Sequence, residues 1–359
     1  MKIKFNLTNY RNNFEKYQNV KSKLIIDFCE KVQPEMSIMI PTFKRPGLIK
    51  QTIDSAIKQV SEIEFEVVII DNDPDCQYSK ELEMLVRSYN RSNIRYFRND
   101  KNIGMFGNWN RCIELARGKW LTILNDDDCL KSDFISATYK LKDKNGLVCV
   151  DFTDEDSSEG INTLLNKPSF SISSNDVQRL KLSEFFWRNP INGSLGALFE
   201  RDKAKEIGGY DDALYPISDY YFTLCYWNRF GGHKIKAKLA IYRWGMNESL
   251  KVETLMGFLK NCHKLRIDLI EQLMVEKTFL KSLYISISKL LTIRAGFAYK
   301  KVNSNFDLDK ALNYSDVCTS RMGYLLVNPV SAIIAKIIVR ALDYELVKRY
   351  YFKARIANE

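Results

Sequence analysis

An apolar run that is typical of a buried strand ends in four consecutive polar residues. In the stretch KWLTILNDDDCL (119–130), these are Asn125, Asp126, Asp127 and Asp128. Adjacent carboxylates repel one another, and burial raises the cost of keeping them ionised. Divalent cations such as Mg²⁺ and Mn²⁺ offset this repulsion, because they take oxygen ligands, usually one or two carboxylates together with the phosphates of a substrate. The alternative is structural: Asp128 would cap a helix that begins near Lys131.

Two further aspartates stand where a carboxylate could do chemistry. Asp71 ends the apolar run FEVVII, where it could accept a hydrogen bond from an imide N–H such as that of uracil, or cap the next turn. Asp219 lies in the aromatic segment ISDYYFTLCYWNRFGG, where burial would raise its pKa and make it a better base. The alternative is a helix N-cap formed by Ser218 or Asp219. Because the chain has only two histidines, carboxylates must carry most acid–base or metal chemistry.

Composition limits the class of partner and the compartment. The chain has 359 residues, of which 45% are hydrophobic, and a formal net charge of +10, which favours an anionic partner. Nucleic acid, a phosphate-bearing substrate and an acidic membrane surface all fit that charge. The eight cysteines contain no CxxC pair and the opening residues are polar, which predicts reduced thiols and no signal peptide.

The positioning elements alternate between strand and helix from residue 36 to about residue 125. The strand patterns are SIMIPTF, FEVVIID, NIRYFRN and WLTILND, and helical patterns separate them. This alternation predicts a parallel sheet with helices on its faces, and ligands bind such sheets beyond the carboxyl ends of the strands. The polar residues that follow the strands are therefore expected at one edge: Pro41-Thr42, Asp71-Asn72-Asp73 and Asn125 to Asp128.

Taken together, these motifs closely resemble the family 2 glycosyltransferases, over about residues 37–248. The resemblance rests on SIMIPTFKRPGLIKQTIDSAIKQ, FEVVIIDNDPD, NDKNIGMFGNWNRCIELARGKWLTILNDDDCL and GALFERDKAKEIGGYDD followed by SDYYF, in this order. It implies the GT-A fold, a Rossmann-like α/β fold with a mostly parallel sheet and helices on both faces, here with a helical C-terminal extension. It also implies inverting transfer of a sugar from a nucleotide diphosphate.

The resemblance assigns expected roles to individual residues. Asp219 matches the catalytic base, although the usual neighbouring glutamate is absent from SDYYF. Asp127, with Asp126, matches the metal-binding part of the DxD motif, and Mn²⁺ or Mg²⁺ is the implied cofactor; Asn125 replaces the usual first aspartate. Arg243 and Trp244 match the stretch that contacts the diphosphate or acceptor. The expected nucleotide-binding residues are Pro41, Thr42, Arg45, Asp71, Asn102, Gly104, Asn125 and Asp126, with Asn108 and Trp109 at the start of the next helix.

The predicted organisation has three parts. Residues 1–35 form an N-terminal helical arm, residues 36–250 the catalytic domain, and residues 251–359 a C-terminal helical region. Within the catalytic domain, residues 36–130 are the nucleotide-binding half and residues 131–250 the acceptor-binding half. A polar, acidic stretch at 151–176 is predicted to be a mobile insertion.

The C-terminal region raises a question about membranes. No apolar run reaches the roughly 18–20 residues of a spanning helix. The closest, at 324–342, is interrupted by Asn328, Pro329, Lys336 and Arg340. A helix there would either pack on the catalytic domain with its charges in water or lie on a membrane surface.

The predicted function is synthesis of bacterial surface polysaccharide, O-antigen or capsule, in the cytoplasm at the inner face of the membrane. A UDP- or dTDP-sugar is favoured as donor because Asp71 suits an imide base, and the acceptor is a glycan or a polyprenyl-diphosphate-linked sugar. One alternative is a non-catalytic nucleic-acid-binding protein, but the basic residues are dispersed and no known module is present. The other is a sugar nucleotidyltransferase, which would carry a glycine-rich loop where this chain has PTFKRPG.

Overall fold

A computed structural model describes residues 5, 7, 10–74, 76–89, 93–144, 146–155, 158–165, 173–191, 193–243, 248–273, 278–317 and 331–343. The strands are β1 (Ser22–Asp27), β2 (Met36–Thr42), β3 (Phe65–Asp71), β4 (Ile94–Asn99), β5 (Trp120–Ile123), β6 (Cys129–Leu130), β7 (Leu147–Asp154), β8 (Val177–Arg179), β9 (Ala197–Glu200) and β10 (Gly232–Tyr242). The α-helices of the described residues are α1 (Pro46–Ile57), α2 (Cys76–Tyr89), α3 (Gly104–Leu115), α4 (Phe134–Tyr139), α5 (Ser158–Leu165), α6 (Leu182–Trp187), α7 (Arg201–Glu206), α8 (Ser218–Phe230), α9 (Val252–Leu273), α10 (Thr278–Val302), α11 (Leu308–Tyr314) and α12 (331–343).

The strands form one ten-stranded sheet in the order β1-β4-β3-β2-β5-β9-β7-β10-β6, with β8 paired to β10. The four neighbouring strands β4, β3, β2 and β5 run parallel, and β7 and β10 form a second parallel pair. Antiparallel pairs connect β5 to β9 and β9 to β7, and β1 adds an antiparallel edge. The alternation of strand and helix up to β5 therefore gives the parallel sheet that the sequence predicts.

Helices cover both faces of the sheet, as predicted. Ile38 and Ile40 of β2 belong to a buried hydrophobic cluster that includes residues of α1, α2 and α4. Met39, between them, belongs to a second cluster on the opposite face with residues of α3 and α8. Successive side chains of a strand point to opposite faces, so a strand buried on both sides must be apolar throughout its length.

The prediction of a helical N-terminal arm is wrong for the described residues of that arm. They contain a single 3₁₀ turn (Glu15–Tyr17) and the strand β1, which pairs with β4 and buries Ile26. Pairing with an otherwise open sheet edge satisfies the backbone of β1, and this tertiary gain outweighs a local charge pattern that favours a helix.

The stretch at 151–176, predicted as a mobile insertion, contains ordered elements. Its first residues complete β7, and α5 follows with Ile161 fully buried against Cys129 and Ile241. Residues 156–157 and 166–172 lie outside the described part of the chain. Strand pairing with β10 and a small apolar cluster thus hold a segment whose composition is otherwise polar.

The C-terminal helices pack on the catalytic domain rather than standing apart from it. Leu265 of α9, Tyr284 of α10 and Val339 of α12 share one hydrophobic cluster with Phe186 and Phe222. At the far end of α12, Asp343 accepts hydrogen bonds from the backbone N and the hydroxyl of Ser183, at 2.9 and 2.8 Å. Among the described helices, none has the length and apolar character needed to cross a membrane.

Candidate active site

The carboxyl ends of β2, β3 and β5 lie side by side. Thr42 and Asp71 are direct register partners at the ends of β2 and β3. The hydroxyl of Thr42 donates a 2.7 Å hydrogen bond to Oδ2 of Asp126, which follows β5. The sheet therefore brings together the three polar segments that the sequence analysis places at this edge.

Asp126 is buried and accepts hydrogen bonds from the loop that follows β2. In addition to Thr42, the backbone N of Phe43 donates to Oδ2 at 3.4 Å, and Nη1 of Arg45 lies 3.5 Å from Oδ1. Burial and the charge of Asp127 raise the pKa of Asp126 to about 6, although these contacts partly offset the rise. These contacts thus hold the carboxylate in place, although burial and the charge of Asp127 disfavour its ionised form.

Asp127 turns toward the same arginine. Nη1 of Arg45 lies 2.5 Å from Oδ2 of Asp127, so one guanidinium nitrogen contacts both carboxylates. The side chain of Arg45 is 34% exposed and that of Asp127 14% exposed. This pair consequently forms the more accessible side of the aspartate cluster.

Asp128 does not cap a helix, and that alternative is wrong. Helix α4 begins at Phe134, and its N-cap residue is Asp133. The buried carboxylate of Asp128 instead accepts hydrogen bonds from the backbone N of Arg243 at 3.1 Å and from Nδ2 of Asn125 at 3.2 Å. Burial and the charge of Asp127 raise the pKa of Asp128 well above its ordinary value. Asp128 therefore joins the end of β10 to the cluster.

Asp71 is almost fully buried and both carboxylate oxygens have protein partners. Its Oδ1 accepts from the backbone N of Asp73 at 3.0 Å, which is the turn-capping contact considered above. Its Oδ2 accepts from the hydroxyls of Ser79 and Tyr96, at 2.6 and 2.9 Å. Burial raises the pKa of Asp71 against the effect of these hydrogen bonds. Recognition of a base by Asp71 would use the remaining lone pairs of these oxygens and stays a prediction.

A chain of asparagines holds the loop next to Asp71. Nδ2 of Asn72 donates to Oδ1 of Asn102 at 2.9 Å and to the carbonyl of Gly104 at 3.1 Å. Nδ2 of Asn99 donates to Oδ1 of Asn72 and of Asn108, both at 3.0 Å. Asn72 is among the residues expected at this edge, whereas Asn99 is not; the available signal for Asn99 is its position at the carboxyl end of the parallel strand β4. Gly104 has φ +75°, which favours glycine, and lies exposed beside Asn102.

Asp219 lies in the first turn of α8 and is partly buried. The N-cap position of α8 is Ile217, which forms no side-chain cap, so the alternative of a cap by Ser218 or Asp219 is wrong. Nδ2 of Asn189 donates to Oδ2 of Asp219 at 3.2 Å. Burial raises the pKa of Asp219 to about 6, while the backbone N–H of Tyr220 and the amide of Asn189 act in the opposite direction.

One short segment, from Asn189 to Ser194, connects Asp219 with the aspartate cluster. Asn189 contacts Asp219, and the hydroxyl of Ser194 donates to Oδ1 of Asn125 at 3.3 Å. Five residue steps span at most about 18 Å of extended chain, which limits the distance between the Cα atoms of residues 189 and 194. Two side chains five positions apart thus contact the predicted base and Asn125, the residue before the predicted metal ligands.

Of the remaining predicted residues, Arg243, Pro41 and Trp109 are buried. Arg243 is buried, and its Nη2 lies 2.9 Å from Oε1 of Gln51 and 3.6 Å from Sγ of Cys129. Its contact with a diphosphate or acceptor stays a prediction. Pro41 is buried in β2, and Trp109 is buried in α3. Trp244 lies outside the described residues.

The donor set fits a divalent cation completed by substrate. Among the described residues, no three histidine, cysteine, aspartate or glutamate side chains converge on one point. Asp126 and Asp127 nevertheless supply two adjacent carboxylates whose mutual repulsion is opposed by one guanidinium. One or two carboxylates, with phosphates and waters as further ligands, is the usual pattern for Mg²⁺.

Comparison with known proteins agrees with the geometry. Residues 37–208 match the family model for glycosyl transferase family 2. An uncharacterized glycosyltransferase of Haemophilus influenzae is 27% identical over 192 residues, which are 53% of this chain and 60% of the relative. The GalNAc(5)-diNAcBac-PP-undecaprenol beta-1,3-glucosyltransferase of Campylobacter jejuni is 31% identical over 104 residues, 29% of this chain and 33% of the relative. The chain thus spans less than two thirds of the length of these curated relatives.

Among solved structures, residues 1–349 of TarS from S. aureus, in complex with UDP-GlcNAc, are similar in fold. The TM-score is 0.56 at 16% identity, with 89% of this chain and 92% of that chain covered. Residues 37–208 thus match glycosyl transferase family 2, and the chain shares an α/β fold with TarS and has a helical C-terminal part.

Proposed function

We propose that this chain is an inverting, metal-dependent glycosyltransferase. It moves a sugar from a nucleotide-diphosphate donor, with UDP- or dTDP-sugars favoured, to a hydroxyl of a glycan or lipid-linked acceptor. The observation that carries the proposal is a pair of contacts from one short stretch of chain: Asn189 contacts Asp219, and Ser194 contacts Asn125. Asn125 directly precedes Asp126 and Asp127 in the chain. Asp219 lies beyond the matched residues 37–208, so its role rests on this geometry rather than on the family match.

At the donor end, the leaving diphosphate develops negative charge. Mn²⁺ or Mg²⁺ held by Asp127 and Asp126 would supply electrostatic stabilisation there. The protein's own contribution is Thr42, which fixes Asp126, and Arg45, whose partly exposed guanidinium lies at the same point. A guanidinium suits phosphate oxygens because it donates two parallel hydrogen bonds.

At the acceptor end, Asp219 accepts the proton of the acceptor hydroxyl. The hydroxyl oxygen attacks the anomeric carbon as the bond to the diphosphate breaks, and the electron pair leaves with the nucleoside diphosphate. Attack from the face opposite the leaving group inverts the anomeric configuration. A pKa of about 6 leaves Asp219 ionised at neutral pH yet more basic than an exposed aspartate.

The acceptor is proposed to be lipid-linked, in the synthesis of bacterial surface polysaccharide such as O-antigen or capsule. The name of the Campylobacter jejuni relative includes an undecaprenol-linked acceptor, which supports this class. Such an acceptor would place the protein in the cytoplasm, at the inner face of the membrane.

The outward side of α12 supports a peripheral membrane contact. Three isoleucines on that side are at least half exposed: Ile333, Ile334 and Ile337. Lys336 and Arg340 are exposed beside them, whereas Val339 on the opposite side is buried in the core. An apolar stripe flanked by basic side chains is suited to the surface of an anionic bilayer.

The membrane contact is tested by sedimentation with vesicles that contain phosphatidylglycerol. The double variant Ile333→Ser/Ile337→Ser should lose most of the bound fraction, because both changes remove apolar area from the lipid-facing side. Met84→Ser on α2 is the matched control, since Met84 is equally exposed but lies on another helix. Equal sedimentation of both variants and the wild type would exclude α12 as the contact.

The donor site is tested by calorimetric titration of UDP, dTDP, GDP and CMP with and without Mn²⁺. We expect metal-dependent binding of one of these nucleotides, weakened at least about 100-fold in Asp127→Ala because a carboxylate ligand is lost. Asp143→Ala is the control, because Asp143 is an exposed carboxylate in the 3₁₀ turn at Lys142–Lys144. Failure of every nucleotide to bind, with metal present, would contradict the proposal.

A further inference from the structure

Among the described residues, the positively charged side chain in contact with Asp126 and Asp127 is that of Arg45. A single nitrogen, Nη1, lies 2.5 Å from Oδ2 of Asp127 and 3.5 Å from Oδ1 of Asp126. The guanidinium therefore bridges the two carboxylates at the position where a shared cation would be held. Its side chain is more exposed than either carboxylate, so Arg45 covers the solvent side of the pair.

The oxygen of Asp126 that Arg45 contacts is also the one better placed for a metal ion. The other oxygen of Asp126, Oδ2, already accepts hydrogen bonds from Thr42 and from the backbone N of Phe43. This leaves Oδ1 of Asp126 and Oδ2 of Asp127 facing the guanidinium. A divalent ion at these oxygens would stand within a few ångströms of a second positive charge, and like charges at that distance repel strongly in a partly buried site.

We propose that Arg45 is the resident counter-ion of Asp126 and Asp127, and that binding of the divalent cation displaces it. The displaced guanidinium is then available to the donor's diphosphate, which arrives at the same point. The inference rests on the proposed function for the identity of the anion, but the competition between Arg45 and the metal concerns the free protein alone. Arg45 thus opposes metal binding before the donor arrives and supports donor binding afterwards.

The proposal requires opposite effects of one substitution on two ligands. Arg45→Gln keeps a polar side chain of similar reach but removes the charge. We expect it to bind Mn²⁺ about tenfold more tightly than the wild type in the absence of nucleotide, because the competing cation is gone. At saturating Mn²⁺, we expect it to bind UDP about tenfold more weakly, with UMP binding changed much less.

The matched control is Lys44→Gln, one residue away. Nζ of Lys44 lies 3.7 Å from Oδ1 of Asp73, so the substitution removes one positive charge from the same loop without removing a contact to Asp126 or Asp127. Lys44 has φ +55°, and glutamine retains the cost of that backbone conformation. Lys44→Gln should change Mn²⁺ affinity by less than about threefold, which separates the bridging contact from the general field.

The experiment measures free Mn²⁺ by electron paramagnetic resonance and nucleotide binding by calorimetry, on the full chain, after thermal melts show that each variant is folded. Mn²⁺ affinity of Arg45→Gln equal to or below that of the wild type would overturn the counter-ion role, even with UDP binding intact. Tighter Mn²⁺ binding by Arg45→Gln, with no UDP binding by the wild type, would support the counter-ion role and contradict the proposed donor. The two failures are therefore distinguishable.

Discussion

Asp126 and Asp219 are two carboxylates whose pKa values both lie at about 6, in surroundings that differ in kind. Burial and the adjacent charge of Asp127 raise the pKa of Asp126. Its carboxylate is contacted by Thr42, at the end of β2, and by Phe43 and Arg45 in the loop that follows. Burial alone raises the pKa of Asp219, and among the described residues the side chain that donates to its carboxylate is Asn189. Burial is therefore the largest cause of both pKa shifts, and the charge of an adjacent carboxylate adds to it at Asp126 but not at Asp219.

This difference separates two kinds of chemistry. A cation stabilises the adjacent carboxylates of Asp126 and Asp127, because it lowers the repulsion between them. For an isolated buried carboxylate, binding of a proton removes the buried charge, so Asp219 suits proton transfer at moderate pH. The comparison predicts that substitutions in one region should leave the other region's ligand unaffected.

The largest effect is expected for Asp219→Asn, which keeps the shape and removes the proton acceptor. The turnover number should fall about 10²–10⁴-fold, the usual contribution of a positioned base. Affinity for the nucleotide and for Mn²⁺ should not change, since Asp126 and Asp127 are untouched. Steady-state rates and calorimetry on the same preparation check both statements. A parallel loss of nucleotide affinity would show that the two regions are not separate.

Substitution of Asn189, whose amide donates to Asp219, should shift the pH profile. Wild-type activity should fall as the pH drops below about 6, because Asp219 must be ionised to accept a proton. The amide of Asn189 stabilises the ionised form, so Asn189→Ala should raise the pKa and move this acidic limb to higher pH by about one unit. The measurement is kcat/KM against pH.

Thr223→Val is the control for that profile. The hydroxyl of Thr223 donates to the backbone carbonyl of Asp219 at 2.8 Å and not to its carboxylate. Its removal should leave the acidic limb in place. An equal displacement in both variants would mean that local loosening of α8, rather than the amide of Asn189, sets the pKa.

The buried charge of Asp219 should also lower the free energy of unfolding at neutral pH. A carboxyl whose pKa rises on folding, here to about 6 from an ordinary value of 3.8, is protonated more readily in the folded state. The free energy of unfolding therefore falls as the pH rises from about 4 to about 6. Asp219→Asn should raise the melting temperature by a few degrees at pH 7, with the gain vanishing near pH 4. Differential scanning calorimetry at both pH values tests this; a gain that persisted at pH 4 would point to packing instead.

How far the sequence predicts this site follows from where each contact is made. Thr42, Asp71 and Asp126 follow strands of a repeating pattern, and parallel strands end at a common edge, so their convergence could be predicted. The strand β1 could not, because its pairing with β4 is a tertiary interaction that no local pattern encodes. The same applies to Asp128, whose partner is the backbone N of Arg243, 115 positions away in the chain.

The partner of the predicted base shows the same limit. Asn189 precedes Asp219 by 30 residues and lies outside any periodic pattern, so only the folded chain places its amide on that carboxylate. The ion pair from Arg45 to Asp127 spans 82 positions. Residue types thus indicate which chemistry is possible, whereas the contacts between loops at the sheet edge determine which side chains act together.

The smallest effect is expected for Thr42, which contacts Asp126 in the pair of adjacent aspartates. Thr42→Val removes one hydrogen bond to Asp126 while the backbone N of Phe43 and Arg45 still contact that carboxylate. The loss of one such bond costs about 1 kcal/mol, so nucleotide affinity in Mn²⁺ should fall about fivefold. Thr163→Val, which removes an exposed hydroxyl bonded within α5, should have no effect. A loss of nucleotide affinity as large as that expected for Asp127→Ala would mean that Thr42 alone positions Asp126. The contacts from Phe43 and Arg45 would then contribute little to holding that carboxylate.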